Sequence, residues 1–356
     1  MQEVIIIDTI IKQHSQKHKK MIGFVVAFIL IAAVGLLYVK WWPYYNKSIT
    51  AINTHSIGTS ILGDLSSITP SWQAAIDYAI VYFQSVWKAA VLGILLGSLV
   101  QVLIPTQWLL KVLGKTTFGS TAIAGIASVP GMMCTCCAAP LAVGLRKKNV
   151  SVGSALAFWI GNPMLNPATL IFMTFVLSWK FTVMRLLFGI ILTFGVSYLA
   201  NRFVKDTKPI DINKLVTEIE PEGSFLSRWL KSLGTMLLYI VPAYILSVLL
   251  LGAGHVWLFP HLGESTANSL IAIIIFAITG MLFVIPTAAE IPIIQTFLSL
   301  GLGGGPAAAL LITLPAISLP SLLIVYKSFP KKVLLFVSAS VVILGIISGL
   351  IGKIIF

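Results

Sequence analysis

The sequence predicts an all-α polytopic membrane protein: an N-terminal anchor helix plus two inverted repeats, each running helix, re-entrant hairpin, helix, helix. Three observations predict it. Of the 356 residues, 58% are hydrophobic and 10% charged, whereas a soluble domain carries about 25% charged residues. Long apolar runs alternate with short loops that hold the Lys and Arg residues, which is how orientation in a bilayer is set. Two apolar stretches are interrupted by glycine and proline at matching places in the two halves. The net charge of +13 therefore reads as orienting loop charge. It implies a lipid bilayer as partner and no nucleic acid.

Residues 1–43 are read as a basic N-terminus and an anchor helix. Lys12, His14, Lys17, His18, Lys19 and Lys20 precede an apolar run that ends at Lys40-Trp41-Trp42-Pro43. The run is too long for a signal-peptide core, and no small-residue cleavage site follows it. It is read as an uncleaved helix over 21–41, with its tryptophans at the interface and its basic residues facing lipid headgroups. Residues 44–83 are assigned to an extracytoplasmic segment. Residues 84–204 form the first repeat, with helices near 84–105, 152–178 and 181–203 and an interrupted stretch at 119–146. Residues 205–228 form a polar cytoplasmic linker. Residues 229–356 form the second repeat, with helices near 229–252, 305–326 and 333–354 and an interrupted stretch at 267–300.

Loop charge argues that the interrupted stretches are hairpins. If 119–146 crossed fully, Arg146-Lys147-Lys148 would lie on the face opposite Lys111 and Lys115. A hairpin returns them to the same face. Arg202, Lys205, Lys208, Lys214, Arg228 and Lys231 then fall inside, with His255, His261 and Glu264 outside, and treating 267–300 alike, but entering from the other side, puts Lys327, Lys331 and Lys332 inside too. Lys180 is an outer-face exception, and Lys88 reads as a snorkelling side chain. The protein is then multi-pass in the cell membrane, with a cytoplasmic N-terminus.

Pro130 and Pro140 are read as breaks in the first hairpin, Pro286 and Pro292 in the second, and Pro163 and Pro315 in the helices that follow. Proline removes a backbone donor, and opened backbone at membrane depth survives only against protein or a watery cavity. The interval from Pro140 to Pro163 equals that from Pro292 to Pro315, and at the same offset Gly153 meets Gly305, Ala155 meets Ala307, Ala157 meets Ala309 and Ile160 meets Ile312. Paired broken helices in two inverted halves point to a secondary transporter with its site at the breaks. A kinked scaffold that transports nothing is the alternative.

Three features at those breaks carry chemistry. All three cysteines, Cys134, Cys136 and Cys137, fall in PGMMCTCCAAP. A lone buried cysteine is usually a small hydrophobe, but three within four residues form a soft-ligand cluster. A half-helix starting near Cys137 would turn its positive end toward a thiolate. Cys134 and Cys137 also form a C-x-x-C pair, which admits dithiol redox chemistry. A structural zinc site needs about four ligands, and no histidine is near, so no metal site is assigned. Asn162 and Asn166 each precede a proline, and amides four residues apart share a helix face. They either line a solute path or cap backbone groups that the prolines free, and Ser318 stands in a similar region of the second half. Glu290, in IPTAAEIP, is the acidic residue within the apolar part of the repeats. An intramembrane carboxylate is a functional candidate by default, here for proton coupling, with helix capping as the plainer role. Gly303-Gly304-Gly305 lacks the strand and the Gly-Lys-Ser/Thr of a phosphate loop, so no nucleotide drive is expected. Neither a catalytic residue nor a cofactor is assigned.

The run from Cys134 through Pro140 to Lys148, followed by Gly153-Ser-Ala-Leu-Ala-Phe158, Gly161-Asn-Pro163 and Asn166-Pro167, resembles the ArsP-like predicted permease family. Pro286, Glu290-Ile-Pro292, Pro315 and Pro320 resemble that family's second segment, so the likeness covers roughly 84–354. Here Cys137 stands where a glycine is more usual. Some members export trivalent organoarsenicals, so the resemblance implies that Cys134, Cys136 and Cys137 contact such a substrate. The expected function is a secondary active permease, not an enzyme, that exports a small thiophilic solute by alternating access, with a proton as coupling ion. A transporter of a soft metal ion or sulfur compound, and a membrane thiol oxidoreductase using Cys134 and Cys137, stand beside it.

Overall fold

The computed structural model describes residues 22–61, 72–204, 224–258 and 268–356. The basic run from Lys12 to Lys20, the linker residues Lys205, Lys208 and Lys214, and His261 and Glu264 lie outside the described residues. Among the described residues the secondary structure is helical, with no strand. Six helices are long and apolar enough to cross a membrane. The protein is an all-α polytopic membrane protein.

The first long helix, α1 (Ile22–Thr54), corrects the expectation that the anchor ends at Trp41. A π-helical turn over Leu37–Trp41 lets the helix continue through Pro43, and a further 13 residues, Trp42–Thr54, stay helical. The wider turn accommodates the proline, which has no N–H to give. The residues assigned to an extracytoplasmic segment are therefore partly helical at both ends, because α2 (Trp72–Leu103) also starts before position 84. A short α3 (Thr106–Leu113) follows.

The first interrupted stretch is a pair of short helices, α4 (Phe118–Ser128) and α5 (Thr135–Lys147). They are joined by a 3-10 turn at Val129–Gly131 and by extended residues up to Cys134. Pro140 lies inside α5, so the chain opens before the cysteines, not across them. Next come α6 (Val152–Met164) and α7 (Pro167–Val176), so the span read as one helix over 152–178 is broken at Leu165-Asn166. The long α8 (Trp179–Phe203) closes this half.

The other half comprises α9 (Phe225–Leu258), α10 (Leu270–Leu282), α11 (Glu290–Ser299), α12 (Gly304–Ala316), α13 (Leu319–Val325) and α14 (Lys331–Ile355). Helices α6 and α12 are each 13 residues long, α8 and α14 each 25, and all four starts differ by the offset that relates Pro140 to Pro292. Packing follows the same offset. A side chain added at Gly161 would collide with Ser128 Oγ, and one added at Gly280 would collide with Thr313 Oγ1. Ser128 and Gly280 correspond by the offset, as do Gly161 and Thr313, so one contact is made in both halves with the glycine exchanged between partners.

Glycines also seat the first hairpin. A Cβ at Gly93 of α2 would strike the Cys137 carbonyl oxygen, and one at Gly97 would strike that of Pro140. Backbones approach this closely only where side chains are absent. Gly93→Ala should therefore lower stability by about 1–3 kcal/mol through overpacking. Gly234→Ala in α9, where nothing lies within 4 Å, should be neutral or gain up to about 1 kcal/mol from helix propensity. Thermal unfolding of both variants in detergent checks this, and equal melting temperatures would contradict the seating role.

Candidate functional site

The four interruptions converge. At the first hairpin, Met132 takes a left-handed φ of 49°, a conformation that costs a side-chain-bearing residue about 1–2 kcal/mol. Cys134 is then the extended N-cap of α5, with Cys136 and Cys137 in the first turn. All three thiols are free and buried. Positions three apart meet on one helical face, so Cys134 Sγ lies 2.9 Å from Cys137 Sγ. Cys136 points elsewhere, 3.3 Å from Ser318 Oγ, and Thr135 Oγ1 lies 3.5 Å from that same hydroxyl. Ser318 is the N-cap of α13, closed by a capping box with Ser321. The first hairpin tip thus touches the broken helix of the other half.

The second hairpin tip makes the reciprocal contact. Its chain is extended from Phe283, turns at Pro286 with Ala288 at a φ of 69°, and re-enters a helix at Glu290. Glu290 is buried and pairs with Arg185 of α8, Nη2 to Oε1 at 3.2 Å, and both side chains are excluded from solvent. The guanidinium also donates to three backbone carbonyls: Nη2 to Pro163 O at 2.8 Å, Nε to Met164 O at 3.2 Å and Nη1 to Leu311 O at 2.5 Å. The prolines explain why these carbonyls are available. In a helix each C=O accepts from the N–H four residues on. For Pro163 that residue is Pro167 and for Leu311 it is Pro315, neither of which has an N–H. For Met164 it is Ala168, whose N–H goes to Asn166 Oδ1 at 3.0 Å. A planar fork of five donors collects the acceptors left over by both broken helices and one carboxylate.

Arg185 is the principal site residue that the sequence reading does not single out. The available signal was a guanidinium inside an apolar helix, which deserves the same functional default as Glu290. The two asparagines act mainly on backbone. Asn162 Nδ2 donates to Phe158 O at 2.9 Å, and Asn166 caps α7 through Ala168 and Thr169. One polar atom of each stays unpartnered among the described residues, Asn162 Oδ1 and Asn166 Nδ2, together with Thr169 Oγ1 and Glu290 Oε2.

Cys134, Pro163, Thr169, Thr287, Glu290 and Pro315 line one small void of about 10 Å³, room for a single water. Two larger cavities of about 350 Å³ each reach the other thiols. One is apolar, lies between α2 and α9, and is lined by Cys136 and Pro140. The other is polar, and Cys137 forms part of its wall. The three sulfurs therefore form one close pair and one separate thiol facing different spaces. Among the described residues no group of three or more His, Cys, Asp or Glu converges as a metal site.

The chain matches a family model, ArsP_1, described as a predicted permease, over residues 20–159 and 126–354. It is similar to UPF0718 protein YraQ of Escherichia coli (strain K12), with 52% identity over 322 residues, covering 90% of this chain and 92% of that protein. It is also similar to UPF0718 protein MJ0584 of Methanocaldococcus jannaschii, with 23% identity over 333 residues, covering 75% of this chain and 91% of the relative. No solved structure matches it.

Proposed function

We propose, from the premise that this chain belongs to the ArsP_1 family of predicted permeases, that it is a secondary active transporter of a small thiophilic solute, with the junction of its four breaks as the transport site. Membership of a family of predicted permeases supports reading it as a membrane transporter rather than an enzyme. The finer reading is export of a trivalent organoarsenical across the cell membrane by alternating access of two inverted repeats, with the N-terminus in the cytoplasm. The observation that carries it is the thiol pair Cys134–Cys137, 2.9 Å apart, beside a buried carboxylate where both hairpins meet both broken helices. A trivalent arsenic centre is soft and takes two thiolates at once, by the argument that applies to soft metal ions. The void of about 10 Å³ is too small for such a solute, which suits an occluded state between two open ones.

Glu290 is the proposed proton carrier. Its Oε1 is held by Arg185 while Oε2 has no partner among the described residues, so one oxygen is left to take a proton. Purified protein in liposomes should carry methylarsonous acid, and an imposed pH gradient should accelerate the flux. Glu290→Gln should abolish the response to the gradient, and a variant that keeps it would remove Glu290 from coupling. Absence of flux with every trivalent arsenical, soft metal ion and sulfur anion tried would remove the transport reading. The same thiol separation also suits a dithiol–disulfide couple. Alkylation trapping during turnover separates the two, because a permease keeps the pair reduced.

A further inference from the structure

The polar cavity beside Cys137 has a charge that the transport reading leaves unused. It holds about 350 Å³ and is lined by Lys40, Tyr44, Lys47, Thr59, Thr287 and Cys137, among others. Lys40 sits in the π-helical turn of α1 and is 5% exposed. Its Nζ donates to Thr287 Oγ1 at 3.0 Å and to Tyr44 OH at 3.1 Å, and it lies 5.0 Å from the centre of the Tyr44 ring. These partners are neutral. Among the described residues the only acidic ones are Asp77, which is exposed and bonds Gln73, and Glu290, which Arg185 holds. Two lysines therefore line one polar cavity with no described carboxylate to balance them. A buried ammonium without a carboxylate partner is costly, and a cleft lined by one sign of charge concentrates ions of the other sign.

We infer that this cavity is an anion site, and that a second solute handed to the Cys134–Cys137 pair, beside the arsenical, is a small anion carrying a soft sulfur atom. The inference rests on the transport reading and adds a solute class to it. Lys40 and Lys47 hold the negative charge, Thr287 and Tyr44 orient it, and Cys137 in the same wall meets the soft atom. The cavity volume is at the small end of ligand pockets, which run from about 300 to 1,000 Å³, and this favours a small ion over a conjugate. Soft cations are repelled by the two ammonium groups, and a neutral arsenical gains nothing from them. Thr287 belongs to the second hairpin tip, so the anion would bridge α1 and both hairpins.

The test is flux of thiosulfate and of methylarsonous acid through the full chain in liposomes, read as the ratio of the two rates. Wild-type protein should carry thiosulfate. Lys40→Met should lower the thiosulfate-to-arsenical ratio at least about tenfold, the scale of one lost charge-assisted hydrogen bond, and Lys40→Arg should restore most of it. If Lys40→Met carries neither probe, Lys47→Met decides by the same ratio. Flux of methylarsonous acid without thiosulfate, or a ratio unchanged in the variants, would overturn the anion site and leave the transport reading standing. Flux of neither probe by wild-type protein would overturn the anion site, and the wider panel of arsenicals, soft metal ions and sulfur anions then decides the transport reading.

Discussion

Arg185→Met should be the most destabilising single substitution within the membrane portion, at about 3–5 kcal/mol, the cost of breaking a buried ion pair by removing one partner. The reason is the number of groups that lose their partner together. Glu290 would be left as a buried carboxylate, and the carbonyls of Pro163, Met164 and Leu311 would be left without their donor. None of the three can return to a helical partner, because two face prolines and the third faces an N–H already taken by Asn166. Arg185→Lys should recover little, since one ammonium cannot reproduce a fork that spans four acceptors. Removing Glu290 as well should cost less than the two single changes added together, because the pair is then lost without a stranded carboxylate. Denaturant unfolding in detergent measures this. A loss under about 1 kcal/mol for Arg185→Met would show that the bridge between the halves is dispensable.

Cys134→Ser and Cys137→Ser should each lower the flux of a trivalent organoarsenical at least about tenfold, the equivalent of about 1.4 kcal/mol of lost solute contact. Stability should barely change. Serine is close to cysteine in size, and the sulfurs of this pair contact each other. Cys136→Ser should have a smaller effect, since Cys136 faces Ser318 and the apolar cavity instead of the pair. The substitutions thus separate solute contact from folding. Wild-type flux in the triple variant would end the thiol mechanism.

Much of this site is legible in the sequence because its parts are local. Prolines declare their missing donors wherever they stand, and three cysteines in four residues are a local pattern. The offset between Pro140 and Pro292 is equally plain, and it also relates the starts of α6 and α12 and of α8 and α14. What escapes is whatever depends on distant partners. Arg185 looks like one more basic residue near the end of a span until the carbonyls it serves are located, two of them on α6 and one on α12. Lys40 closes an apolar run beside two tryptophans, where a snorkelling side chain is the ordinary expectation. Only the continuation of α1 through Pro43 turns it inward to Thr287. Pro140 misleads in the opposite direction. It sits inside a continuous helix whose carbonyls pack against the glycines of α2, so the opening lies at Met132–Cys134 instead.

Alternating access requires that the cysteines sit at a point that opens in turn to both sides of the membrane. All three cysteines of the chain are at this site, so wild-type protein needs no background mutation. The measurement is labelling by a membrane-impermeant maleimide, applied to one face or the other of sealed vesicles of known orientation, with the modified residues located by mass spectrometry. Cys134 or Cys137 should be modified from each face, and a trivalent arsenical should slow modification from both. Labelling confined to one face, or unaffected by the arsenical from either, would contradict it.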